Sequence, residues 1–157
     1  LAPYSFFNTV AIDPPVVAFS PVATAADPKD TLANALETEA FVVNVVTETV
    51  VEAMNASSAT LEAGESEFDR VGIDRAPSVR VDAPRVAAAA VSLECELYDA
   101  VEIGTSTLVL GEVVYAHVAE DALTDGKIDV DRLDTVGRLA GEWYASTDDR
   151  FELERPP

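Results

Sequence analysis

Short apolar stretches, each closed by a turn, recur along the chain and predict a mainly β protein. Residues 5–12 and 16–20 are typical of two strands, and both end at prolines. Residues 41–46 are short, apolar and rich in valine, which predicts a buried strand.

A later stretch predicts a β-hairpin. Residues 91–98 alternate between apolar and polar positions, as a half-buried strand does. The predicted inner side chains are those of Val91, Leu93, Cys95 and Leu97, and the predicted outer ones are those of Ser92, Glu94, Glu96 and Tyr98. Residues 107–118 are the expected partner strand, and residues 104–106 supply the turn.

A few short helices are predicted between the strands. Residues 30–39 place apolar side chains on one side of a helix, after a loop of small residues at 22–29. Residues 47–54 predict a second helix that Thr47 caps. Residues 55–85 are a polar excursion with a helical turn around Phe68, and residues 129–133 begin another short helix.

Composition fits one domain, residues 1–157, with a real core, since 48% of the residues are hydrophobic. The formal net charge of −19 repels phosphate backbones, which argues against nucleic-acid binding. Lys29 and Lys127 are the two lysines among ten basic residues. This bias toward Asp and Glu, with lysine nearly absent, resembles that of proteins from salt-adapted cells. In such cells about 1 M salt screens charges within about 3 Å. The alternative is an ordinary acidic cytosolic protein.

Cys95 is the single cysteine, so we expect a small buried hydrophobe and no internal disulfide or thiolate metal cluster. No apolar run approaches the roughly 20 residues that span a bilayer. The start at Leu1 lacks an initiator methionine and the plan of a signal peptide, so residues upstream are expected to be missing. The expected location is the cytoplasm.

Two segments are candidates for binding chemistry. Lys29 and Thr31 lie at the start of the predicted helix, where unpaired amides and the helix dipole favour an anion. The alternative is a capped helix with an incidental lysine, and Asp30 favours it because a carboxylate competes for the same field. Residues 2–8 alternate hydroxyls with aromatics, which suits a planar ligand, although core packing explains the phenylalanines equally well.

The sequence motifs of metal sites, catalytic triads and phosphate-binding loops are missing. His117 is the only histidine and has no cysteine or histidine at metal-ligand spacing, so no metal site is predicted. A catalytic triad would need the same histidine, and the Gly-x-Ser-x-Gly elbow is missing. Neither Gly-x-Gly-x-x-Gly nor a Walker sequence occurs. No catalytic residue is assigned.

A series of short blocks resembles the flavin reductase-like family in order and spacing, over almost the whole chain. The blocks are Leu1–Asn8, Asp13–Val17, Lys29–Asn34, Phe41–Asn44, Ala53–Asn55, Glu67–Phe68, Leu93–Cys95, Gly111–Val113 and Arg138–Gly141. The resemblance implies a Greek-key-like split β-barrel with a few short peripheral helices. It also implies that the barrel binds flavin mononucleotide (FMN), as a homodimer with each flavin near the subunit interface.

The resemblance also implies the site. One segment would lie along the isoalloxazine ring and ribityl chain, with contacts from Ala2, Pro3, Tyr4, Ser5, Phe6 and Asn8. The phosphate would be approached by Ser20, Lys29, Asp30, Thr31 and Asn34. The segment of residues 141–144 would close over the site, with Tyr144 against the ring.

Two departures from the family pattern leave the activity open. An upstream strand that also contacts FMN is expected to be missing here. Reductases that serve two-component monooxygenases commonly carry Gly-Asp-His before a strand that ends in Gly-x-Val, and residues 104–107 lack that histidine. The favoured expectation is an FMN-dependent oxidoreductase, with NAD(P)H as an open donor and an electron-transfer or monooxygenase partner. The alternatives are an FMN-binding electron carrier without turnover and a barrel without flavin.

Overall fold

A five-stranded antiparallel sheet forms the centre of the computed structural model, which describes residues 1–26, 28–62 and 64–156. In chain order the strands are β1 Phe7–Ile12, β2 Pro15–Phe19, β3 Ala40–Asn44, β4 Arg75–Ala76, β5 Arg85–Val86, β6 Val91–Ile103, β7 Ser106–Val118, β8 Leu123–Thr124, β9 Lys127–Ile128, β10 Val136–Arg138 and β11 Tyr144–Ser146. The sheet order is β1-β2-β7-β6-β3, and three two-stranded sheets pair β4 with β5, β8 with β9 and β10 with β11. Asp27, Ala63 and Pro157, which fall in the predicted loop, excursion and tail, lie outside the described residues.

The longest pair is the β6–β7 hairpin, which confirms the predicted one. Ile103 pairs with Ser106, so Gly104 and Thr105 form a two-residue turn. Gly104 has a φ of 62°, a conformation that glycine adopts without steric cost and that two-residue hairpins favour.

In the described ranges three short α-helices accompany the sheet: α1 Asp30–Thr38, α2 Val51–Ala56 and α3 Glu67–Val71. Helix α1 and the turn around Phe68 confirm the predictions. The helix predicted from Thr47 instead begins with a 3₁₀ turn, Glu48–Val50. Within the described chain Thr47 makes no side-chain cap bond, and its backbone bridges to Thr135, so the predicted cap is wrong. None of the helices in the described ranges is both long and apolar enough to cross a bilayer.

The core next to α1 is built on the middle of the sheet. Leu32 of α1 is fully buried against Phe19 and Val109, with the Phe41 ring packed beside them. Residues 41–46 were expected to form a buried strand, but β3 is only half-buried. The reason is its place at the edge of the sheet, where it pairs with β6 alone.

The predicted outer face of β6 is wrong at two positions. Ser92 and Glu94 are fully buried. The Ser92 hydroxyl donates to Oδ1 of Asn44 at 2.9 Å, and the backbone of residues 79–81 covers Glu94. Both faces of this part of β6 are therefore covered by protein. The prediction for Cys95 is confirmed, because its side chain is fully buried and burial raises the pKa of its thiol to about 12.

Gly111 of β7 lies in close contact with its neighbours in the sheet. A methyl group at this position would overlap the Phe41 ring and lie 2.9 Å from Cβ of Cys95. Because both neighbours belong to the packed interior, only glycine lets β7 pass this closely.

Candidate functional site

A concave surface of about 410 Å³ lies where the chain enters β1, and we call it the β1 pocket. Its walls are formed by Ser5, Phe6, Phe7, Asn8, Ala18, Ser20 and Leu108. The amide of Ser20 donates to the carbonyl of Phe6 at 3.2 Å, which continues the β1–β2 pairing to the rim of the pocket. The structure thus brings together four of the predicted site residues, Ser5, Phe6, Asn8 and Ser20.

The β1 pocket combines exposed aromatic surface with polar side chains. Phe6 is 72% exposed and Phe7 is 41% exposed. The Ser5 and Ser20 hydroxyls and the Asn8 amide line the same surface. Ligand sites commonly combine apolar walls with a few polar groups that fix orientation. The pocket therefore has the composition of a site for a flat, partly polar molecule.

Tyr4 joins this pocket to helix α1. Its ring packs against Phe19 at a centroid distance of 4.9 Å, and its hydroxyl lies near the Thr31 side chain. Burial raises the pKa of Tyr4, and the nearby Thr31 side chain opposes part of that rise. Because Tyr4 directly precedes Ser5, the contact ties the first turn of α1 to the segment that leads into the pocket.

The start of α1 is open to solvent. Lys29 precedes the helix with an extended backbone, and its carbonyl accepts the amide of Ala33 at 2.9 Å. The side chains of Lys29, Asp30 and Asn34 are exposed. A cationic side chain thus accompanies the positive end of the helix dipole, while the Asp30 carboxylate partly offsets it.

The remaining predicted residues are not part of the β1 pocket. Ala2 is exposed and Pro3 is half-buried, and both precede the pocket in the chain. Tyr144 lies on β11, where the Arg138 guanidinium stacks 4.8 Å from its ring and donates to its hydroxyl at 2.8 Å. The structure does not bring Tyr144 to the walls of the pocket, and its contact with a flavin stays a prediction.

A buried polar pair, which the sequence analysis missed, lies near the other end of β7. Nε2 of His117 is 2.5 Å from Oε1 of Glu94, and the two rings of His117 and Tyr115 lie 4.8 Å apart. The hairpin register holds the signal that could have found the pair. A two-residue turn sets Ser92 opposite His117, so Glu94 and His117 are diagonal neighbours on one face.

The Glu94 carboxylate is satisfied on all sides. It accepts the amides of Val79, Arg80 and Val81 at 2.8, 2.6 and 3.2 Å, in addition to the His117 ring. Burial raises the pKa of this carboxyl, but the bonds from His117 and from the amides outweigh burial and lower it to about 2. Glu94 is therefore ionised at neutral pH, and Nε2 of His117 carries the proton between them.

Comparison with known proteins identifies the family. The profile of the flavin reductase like domain matches residues 1–133. The chain is 37% identical to nitrilotriacetate monooxygenase component B from Bacillus cereus, with a TM-score of 0.92 over 97% of this chain and 78% of that one. It is 36% identical to 2-nitrobenzoate 2-nitroreductase NbaA of Pseudomonas fluorescens, with a TM-score of 0.89 over 99% and 76% of the two chains.

A more distant structure shares the fold alone. Flavoredoxin of Desulfovibrio vulgaris is 22% identical, with a TM-score of 0.83 over 98% of this chain and 80% of that one. These matches confirm the predicted fold class and the resemblance on which it rested. The chain belongs to the flavin reductase-like family, a flavin-binding family of split β-barrel oxidoreductases.

Proposed function

We propose that the chain binds FMN in the β1 pocket and acts as a flavin reductase-like redox protein. The observation that carries the proposal is the convergence of Ser5, Phe6, Asn8 and Ser20 on one open surface. The volume of about 410 Å³ lies within the roughly 300–1,000 Å³ typical of small-molecule sites. The exposed Phe6 ring suits one face of an isoalloxazine, and the hydroxyl and amide groups suit its polar edge and the ribityl chain.

The start of α1 is the proposed phosphate anchor. Tyr4 packs in the same core cluster as Leu32 of α1, which keeps this helix near the segment that enters the pocket. Lys29 supplies a positive charge in a chain of formal net charge −19, and the first-turn amides supply further donors. FMN carries one terminal phosphate, which matches a single anchor of this kind. Asn34, Asp30 and Thr31 surround the anchor, and we include them in the proposed site.

When bound, FMN supplies the redox chemistry, and the protein supplies orientation and electrostatics. The segment that leads into the pocket contains Ala2, Pro3 and Tyr4. The rim of the pocket includes Phe6 and Ser20.

The test of the proposal is the cofactor that the full chain retains or takes up. Acid release of bound flavin followed by chromatography is expected to give FMN. A dominant peak of flavin adenine dinucleotide would contradict a single-phosphate anchor. A protein that neither retains nor binds any flavin would leave only the third alternative, a barrel without flavin.

The electron donor separates two functions. NAD(P)H is the donor that a flavin reductase would use. The hairpin turn at Gly104 and Thr105, without a histidine, favours the second candidate, an FMN-binding electron carrier. An anaerobic visible spectrum before and after NADH decides between them. Rapid bleaching of the flavin band supports the reductase, whereas bleaching only by dithionite supports the carrier.

The open face of the β1 pocket leads us to propose a homodimer as well. Phe6 and Trp143 are 72% and 76% exposed, and a two-fold contact would cover such surface and shield the flavin. Light scattering in high salt is expected to give twice the mass of one chain. A monomer mass with FMN bound would exclude the dimer.

A partner and a location complete the proposal. Similarity to a monooxygenase component B suits an electron-accepting monooxygenase as the partner, and the charge of −19 disfavours nucleic acid. We place the protein in the cytoplasm, which cell fractionation with an antibody against the chain checks.

A further inference from the structure

A second concave surface, of about 370 Å³, lies at the far end of β7, and we call it the β7-end pocket. Arg85, Tyr115 and His117 line it together with small apolar residues, among them Ala87, Ala90 and Val118. Arg85 carries a positive charge, and the surface that the pocket exposes is mainly polar, although most of its side chains are alanine or valine. An arginine beside polar surface suits a small anion.

The β7-end pocket is separate from the β1 pocket. Leu108 lines the β1 pocket and His117 lines the β7-end pocket, nine positions further along the same strand. At a rise of about 3.3 Å per residue, the two positions are roughly 30 Å apart along β7. A ligand in one pocket of a chain therefore does not touch a ligand in the other.

Arginine is frequent in the sequence around Arg85. Residues 70–90 contain four arginines and two aspartates, while the whole chain carries −19. Within the described residues no carboxylate is among the lining side chains of the pocket. Of these arginines, Arg85 lines the pocket, whereas Arg75 is paired with Asp69.

Arg85 is held with its terminal nitrogens available. In the described part of the chain, its guanidinium makes one protein hydrogen bond, from Nε to the carbonyl of Pro77 at 3.3 Å. The two terminal nitrogens form a planar fork that matches the two oxygens of a carboxylate. Arg85 therefore offers a bidentate contact that a lysine would not.

His117 forms the second polar wall. Its Nε2 is fixed by the buried Glu94, which sets the orientation of the ring, and Nδ1 is the remaining polar atom. The bond to Glu94 therefore holds the His117 ring at the pocket wall, where a bound molecule changes its surroundings.

We propose that the β7-end pocket binds a small organic carboxylate, paired with Arg85 and lying beside the His117 ring. The site is additional to the flavin site and is expected to function whether or not flavin is bound. Tyr115, which is 42% exposed, provides an aromatic wall for the body of the ligand.

Benzoate is a suitable probe, and His117 is a suitable reporter because it is the only histidine of the chain. In the full chain, benzoate is expected to shift the imidazole NMR signals of His117 along a saturable curve. Benzamide, which is neutral and nearly the same shape, is expected to bind at least about tenfold more weakly, the usual scale of a charge-assisted contact. The titration is run with and without saturating FMN, and equal affinities are expected.

Matched variants make the test specific to the pocket. Arg85→Gln is expected to weaken benzoate about tenfold or more, and Arg85→Lys less because it keeps the charge but loses the fork. Arg80→Gln removes the same charge from an exposed neighbouring side chain outside the pocket and is expected to leave the affinity unchanged. Equal binding of benzamide, competition between benzoate and FMN, or an Arg85→Gln variant with unchanged affinity would each overturn the proposal.

Discussion

The two ends of β7 contribute to sites that differ in how far their polar groups are buried. Near its start, Leu108 borders the open β1 pocket, whose Phe6 ring is 72% exposed. Near its other end, His117 bonds to Glu94, which is fully buried and receives three backbone amides. The polar groups of the first site face an open surface, whereas the Glu94 carboxylate at the second end has its hydrogen bonds satisfied within the chain.

This difference separates two uses of polar groups. Hydrogen bonds that are satisfied inside the protein, such as those of Glu94, fix a geometry and are costly to disrupt. Polar groups on an open surface, such as Ser5 and Asn8, contribute when a ligand arrives. Mutations at the buried pair are therefore expected to change stability first, and mutations around the β1 pocket are expected to change affinity first.

The largest expected effect is on the buried pair. Glu94→Ala leaves three amides and the His117 ring without their acceptor, and is expected to lower the free energy of unfolding by about 3–5 kcal/mol. Urea denaturation measures the loss. Glu96→Gln alters the exposed neighbour on the same strand and is expected to stay within about 0.5 kcal/mol of the wild type. A loss for Glu94→Ala as small as the one expected for Glu96→Gln would mean that the Glu94 network adds no stability.

At the open end, Lys29→Ala is expected to weaken FMN by about 10- to 150-fold and riboflavin far less, because riboflavin lacks the phosphate. Fluorescence titration with both ligands measures the contrast. The other lysine, Lys127, provides the matched control, since Lys127→Ala removes the same charge from an exposed site on β9. A similar loss for FMN and riboflavin in Lys29→Ala would place the phosphate elsewhere.

Between the two ends, Gly111→Ala tests how tightly β7 is packed. The added methyl group meets the Phe41 ring and Cβ of Cys95, so a loss of about 1–3 kcal/mol is expected. Gly137→Ala is the control, because its nearest contact would be the carbonyl of Ala145 at 3.9 Å. Chemical denaturation of both variants compares them, and a harmless Gly111→Ala would show that Phe41 can move aside.

Acid is expected to remove the stabilisation that the ionised Glu94 carboxylate contributes. The pKa of Glu94 is about 2 in the folded chain, below its ordinary value of 4.5. Its stabilisation is therefore complete above about pH 4.5 and is lost as the pH falls toward 2. Because many other carboxylates titrate in this range, the measured quantity is the stability of the wild type minus that of Glu94→Gln. This difference is expected to shrink between pH 4.5 and 2, and a constant difference would contradict the assigned pKa.

The smallest expected effect is that of salt, and it should be shared by the whole molecule. A formal charge of −19 repels itself, and salt near 1 M screens charges within about 3 Å. The thermal midpoint is therefore expected to rise with potassium chloride concentration. A flat midpoint would favour the alternative of an ordinary acidic protein.

The local elements could be predicted from the sequence, but the buried polar pair was not. Apolar periodicity placed α1, and the turn chemistry at Gly104 placed the hairpin. Alternation put Glu94 on an outer face, because a two-residue period cannot show that residues 79–81 fold back over it.

Some residues of the candidate sites could likewise be predicted from the sequence, and others could not. The pocket residues 5–8 are consecutive, so one segment of sequence identified them, and Ser20 lies on the adjoining strand. Arg85 and His117 come from distant parts of the chain, and only the folded structure places them in one pocket. Tyr144 lies on β11 and does not line the β1 pocket, so its predicted contact with the flavin ring stays a prediction.

The burial of Cys95 has a practical consequence for measuring this molecule. Its thiol is fully enclosed and its pKa is about 12, so reagents that need an exposed thiolate do not modify it in the folded state. The folded wild-type chain thus has no cysteine that reacts with such reagents, so an introduced cysteine can be labelled by itself. A cysteine introduced at exposed Thr105 in the hairpin turn would be the single attachment point for a spin label. The distance between labels on two copies would then report directly how the copies are arranged.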